Sequence, residues 1–137
     1  MDDQIKMDEQ LKHLFEYTKF HVGMYTTLIA AIVALFAGDV MKNSAYITMI
    51  PFLGVSVVFF LFAGMCGGLV ASSIPFFTSF QEFKAAKLLP WSTRTDLQKG
   101  IPSMRCAHWE HFFFWCGCLA AVVGLIISLR VAVPCTS

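Results

Sequence analysis

Four histidines, His13, His21, His108 and His111, stand with Glu110, Cys116 and Cys118 as the residues best equipped for chemistry in this chain. His108 and His111 are three apart, so a helix would carry both on one face, with Glu110 adjacent. Imidazole with a carboxylate or thiol is a metal-ligand set in type. In number and spacing, however, these residues match no metal motif. A haem would need two histidines facing each other within a bilayer, and these fall at the rim of the apolar runs. Anchoring at a membrane surface and sensing pH near neutrality are the other roles open to them. No metal and no cofactor is assigned. Ser-His-Asp, HExxH and CxxC arrangements are missing, and Cys116-x-Cys118 sits in an apolar run where thiols are inert. The chain is therefore expected not to be an enzyme.

The second group with chemical promise is basic. Residues 79–107 carry Lys84, Lys87, Arg94, Lys99 and Arg105 against Glu82 and Asp96, interleaved with Phe83, Trp91 and the hydroxyls of Ser92, Thr93 and Thr95. Lys84, Lys87, Trp91, Arg94, Lys99 and Arg105 form a candidate ligand site, in which Trp91 would stack a base and the cations would meet phosphates. There is no P-loop or glycine-rich phosphate cradle. The plainer role of these cations is to fix membrane topology.

Those residues are positioned by elements whose class is set by hydropathy. From residue 43 to residue 81 there is no Asp, Glu, Lys or Arg, and residues 20–38 and 112–129 are likewise uncharged. Each run is at least one membrane thickness long when helical. Hydrophobic residues make up 57% of the 137 and charged residues 14%, with a mean hydropathy of +0.66. An ordinary soluble domain is less apolar and has nearly twice the charge. The expected fold is all-α: one polytopic transmembrane domain over 1–137, with three transmembrane helices. It comprises a cytoplasmic amphipathic helix at 1–19, span 1 at 20–41, span 2 at 45–73, an interfacial helix and basic loop at 76–107, and span 3 at 109–130. Met7, Leu11, Leu14 and Phe15 share one face of the first helix. That helix either runs unbroken into span 1 or kinks near Gly23. Phe76, Phe80 and Phe83 are expected to share the apolar face of an interfacial helix reaching Leu89.

Eight of the ten Lys and Arg residues fall on the side of the N-terminus and the 79–107 segment. This places the N-terminus in the cytoplasm and the C-terminus outside an inner or plasma membrane. The acidic first residues, with no cleavage site after a short apolar run, argue against a signal peptide. Cys135 alone reaches the outer side, where it is expected to stay an unpaired tail thiol, the alternative being a disulfide with another chain.

Each span carries a seam of small residues: Gly23, Thr27, Ala30, Ala34 and Gly38 on the first; Gly64, Gly67, Gly68, Ala71 and Ser72 on the second; Gly117, Ala121, Gly124 and Ser128 on the third. Small residues let helix backbones approach closely where lipid removes the hydrophobic drive between helices. Three seams exceed the need of one three-helix unit, which points to a homo-oligomer. In a ring, Ser56, Gly64, Gly68 and Ser72 would face a pore, with Phe59, Phe60 and Phe62 as packing or a hydrophobic constriction. No ionisable residue is expected inside a span, so neither a carboxylate filter nor a buried charge relay is anticipated.

In layout, this uncharged 43–81 run, three spans and basic loop resemble small multi-pass effectors of bacterial defence systems, such as those of Hailong or CBASS operons. The resemblance implies an antiviral channel, opened or held shut by a nucleotide or oligonucleotide from a partner enzyme. A separate soluble sensor domain, present in several such effectors, has no counterpart here. The leading expectation is thus a homo-oligomeric ion channel or pore-forming effector, lipid-embedded and regulated at its cytoplasmic basic face. The rivals are a non-catalytic accessory subunit of a larger membrane complex and a metal- or haem-binding membrane protein.

Overall fold

The computed structural model describes residues 9–38, 47–88 and 100–132. Three long helices dominate: α1 (Glu9–Ala37), α2 (Ile50–Ser73) and α4 (Ser103–Ala132), with a short α3 (Phe80–Ala85) between the last two. The 24 residues of α2 span about 36 Å, enough for a hydrocarbon core of about 30 Å. All three long helices are long and apolar enough to cross a membrane. Their outer faces carry large bare hydrophobics, such as Phe20 at 69% and Trp115 at 67% exposure. This is an all-α, multi-pass membrane protein.

The pattern of burial explains how such apolar helices find one arrangement. In α1 the buried residues are Leu11, Thr18, Tyr25 and Ile32, one every seventh position. In α2 they are Leu53, Ser56, Phe60, Ala63, Gly67 and Val70, at alternating steps of three and four. Both are seams of helices that keep one face toward a partner along their length. Helix α2 is central, with α1 and α4 each packed along it. α1 is unbroken through Gly23, so of the two alternatives for this segment the single helix is the one formed.

Two glycines of α4 admit phenylalanines of α2. A Cβ at Gly117 would lie 2.7 Å from the Phe60 ring, and one at Gly124 only 2.6 Å from Phe52 Cβ. The Ser56 hydroxyl donates to the Gly117 carbonyl at 2.8 Å, which adds an interhelical hydrogen bond to the same contact.

The end of the bundle where α1 begins is closed by a small core. Leu11, Val70, Ile74, Phe77, Phe83, Ala86, Leu88 and Cys106 form it, with Leu14, Phe15 and Phe80 against its edge. Pro75 starts a single 3-10 turn, Ile74–Phe76. Ser79 then caps α3 by accepting from the Glu82 backbone N–H, while the Glu82 carboxylate accepts from the backbone and hydroxyl of Thr78. The Ser79 bond is the first half of a capping box, while the Glu82 carboxylate reaches one residue further back, to Thr78. A two-residue antiparallel pair follows, β1 (Lys87–Leu88) with β2 (Ile101–Pro102). Ser103 ties α4 to α3 by donating its hydroxyl to the Phe83 carbonyl at 2.6 Å.

Two expectations need correction here. The interfacial helix ends at Ala85 rather than Leu89. Phe76, Phe80 and Phe83 also do not share a face: Phe76 is exposed while Phe83 is wholly buried. The extended backbone of Phe77 and Ser79 resets the helical phase, so Phe83 enters a protein core instead of lying against lipid.

Candidate functional site

About two turns into α4, Glu110 turns inward and is 1% exposed. Its partner is Tyr25 of α1, also 1% exposed, whose hydroxyl donates to Glu110 Oε1 at 2.9 Å. Gly67 of α2 leaves the room for them, since a Cβ there would sit 3.1 Å from the carboxyl carbon and from Oε1. Phe114 stacks at a tilt on Tyr25 with ring centroids 5.5 Å apart. Among the described residues no Lys or Arg is paired with this carboxylate. A charge in such surroundings is costly unless neighbours stabilise it.

A second, outer layer is built on Tyr17, about two turns before Tyr25 on α1, and on His111, the residue after Glu110 on α4. The Tyr17 hydroxyl meets His111 Nε2 at 2.7 Å, and His111 Nδ1 lies 2.9 Å from the Ala107 carbonyl. A carbonyl can only accept, so Nδ1 carries the proton. Neutral His111 then presents a bare Nε2, and Tyr17 is the donor to it. The same logic applies to His21, whose Nδ1 donates to the Tyr17 carbonyl at 2.8 Å, leaving Nε2 as its basic nitrogen. The His21 ring lies 4.0 Å from Tyr17, 5.8 Å from His111 and 6.0 Å from Tyr25, centroid to centroid. Both imidazoles are half-buried. The five side chains therefore form one cluster, running from the exposed Tyr17 to the buried carboxylate.

Glu110 stands at the border of the 109–130 span read from the sequence. The helix opens earlier, at Ser103, and Glu110, about two turns along it, is buried inside the protein against Gly67 of α2. The histidines also separate. His111 faces α1, whereas His108 is exposed and bonds only back to the Met104 carbonyl, and His13 lies within 3.9 Å of Glu9 on the surface. Among the described residues no group of three or more His, Cys, Asp or Glu gathers for a metal.

The small-residue positions divide in the same way. Ser56, Gly117, Gly124 and Ser128 are buried, and Ala121 is half-buried, within the protomer. Ser128 has no hydrogen-bond partner among the described residues. Ser56 therefore cannot face a pore lumen, because its hydroxyl is spent on α4. A Cβ at Gly64 would lie 3.9 Å from Tyr25 and one at Gly68 would meet nothing within 4 Å, and Ser72 is exposed with its hydroxyl on the Leu69 carbonyl. Of the ligand-site candidates, Lys84, Lys87 and Arg105 are exposed around the capped end; Trp91, Arg94 and Lys99 lie outside the described residues.

Tyr17 and Tyr25 were not singled out from the chain. Their signal was available: Tyr17, His21 and Tyr25 recur every fourth residue, which stacks them on one helical face. No protein-family model, curated protein or solved structure matches this chain.

Proposed function

We propose that the protein is the protomer of a homo-oligomeric membrane channel or pore-forming effector, not an enzyme. The observation that carries this reading is the outer face of α1. Gly23, Thr27, Ala30 and Ala34 stand exposed there, whereas most of the α4 seam is consumed by α2 within the protomer. An open groove of about 640 Å³ runs along the same face, lined by Glu16, Lys19, Phe20, Gly23, Met24, Thr27 and Leu28. Close approach of a second membrane helix is what such a face serves. The subunit contact, and any lumen beside it, is assigned to α1 rather than to the Ser56 face of α2.

The Lys and Arg distribution supports an orientation with the capped end in the cytoplasm and the C-terminus outside. Lys84, Lys87 and Arg105 there offer cations to a nucleotide or oligonucleotide supplied by a partner enzyme, as the layout shared with bacterial defence effectors implies. The test is the protein-only mass in detergent by light scattering, followed by ion flux in liposomes with and without nucleotides. A discrete ring that conducts, lost in Gly23→Leu or Ala30→Leu, bears the reading out. A monomer that conducts nothing overturns it and assigns the same α1 face to a foreign subunit.

A further inference from the structure

From the geometry of the inner cluster we infer that Glu110 is a proton-binding site inside the membrane, with His21, His111 and Tyr17 as its connection to the interface. This stands apart from the channel reading, because every group belongs to one protomer. Three observations support it. Glu110 is the buried acid of α4, held by one neutral hydroxyl donor and by no Lys or Arg among the described residues. A carboxylate in hydrocarbon with a neutral partner alone can shed its charge by binding a proton, and intramembrane acids of this kind mark proton and ion pathways. Finally, two imidazoles, the side chains able to exchange protons near neutral pH, are set between the carboxylate and the exposed end of the cluster.

The titratable groups of the cluster and its border come from all three long helices. Helix α1 contributes Tyr25, bonded to Glu110, with Tyr17 and His21 beyond it; α2 contributes Cys66, the neighbour of Gly67 in sequence; and α4 itself contributes His111. The chemistry is a simple balance. The carboxylate takes one proton originating in interfacial water, gains an O–H bond and loses its charge; nothing is oxidised or reduced. The bound state matters mechanically because Tyr25–Glu110 is a hydrogen bond between α1 and α4, beside Tyr17–His111 and the Tyr25–Phe114 ring contact. Proton occupancy therefore changes one of the bonds that join α1 to α4.

The test uses the full chain in phosphatidylcholine bilayers, with infrared difference spectra recorded as pH is stepped between about pH 4 and about pH 9. A carbonyl band of a protonated carboxylic acid in a dry site is expected to appear on acidification and to be missing in Glu110→Gln. Tyr25→Phe should displace the band and tighten proton binding about tenfold, because a donor to the charged form is gone. Glu110→Gln spectra that superpose on the native ones across the range would overturn the assignment. If Glu110→Gln does not fold, Tyr25→Phe decides: an unmoved band and midpoint would also overturn it.

Discussion

The two sides of α4 are built on opposite principles. Toward α2 the contact is dry and steric, with Phe52 and Phe60 seated in the notches of Gly124 and Gly117 and one hydroxyl bond, from Ser56, across it. Toward α1 the contact includes two polar pairs, Tyr25 on Glu110 and Tyr17 on His111, beside the Tyr25–Phe114 ring contact. At the two notches no titratable group intervenes and one shape fits. At the polar pairs charge can change without rebuilding the packing. A three-helix membrane unit can thus combine steric notches on one side of a helix with titratable contacts on the other.

The contrast can be broken most severely at Gly124. A Cβ there meets the Cβ of Phe52, which cannot rotate away, so Gly124→Ala should cost about 1–3 kcal/mol and a larger side chain more. Thermal loss of the folded state in detergent would measure it, and native stability would mean that α2 and α4 are not so close. Next comes Tyr25→Phe, which leaves a buried acid without its donor, at about 1–3 kcal/mol. Here the loss should vary with pH, whereas the Gly124→Ala loss should not. Equal behaviour of the two variants across pH would erase the distinction between the interfaces. Ser56→Ala removes one interhelical hydrogen bond and should cost about 0.6 kcal/mol. Gly23→Ala, with nothing within 4 Å of the added methyl, should leave protomer stability within about 0.5 kcal/mol. Any effect it has should appear in oligomer mass.

The fold was legible because it rests on hydropathy and length, which are additive along a chain. The three spans follow from such local rules, whereas the choice between an unbroken α1 and a kink near Gly23 does not. The capped end was less so. Whether Phe83 meets lipid or protein depends on the phase reset at Phe77–Ser79 and on Leu11 arriving from a distant part of the chain. Glu110 was hidden for a related reason. Charge-free windows end at a charged residue by construction, so a carboxylate within a helix is read as its border. Seeing it inside required Ser103, tied to Phe83, to be recognised as the true start of α4.

The β1–β2 pair has an evolutionary consequence. Leu88 and Ile101 are register partners, so the two described ends of the intervening stretch stand about 5 Å apart. Its length and composition can change without moving α3 or α4, since the clasp and the Ser103 tether hold both ends. That makes 89–100 the natural place for the chain to acquire a new specificity, or for an engineer to graft a reporter domain, while the membrane bundle keeps its shape.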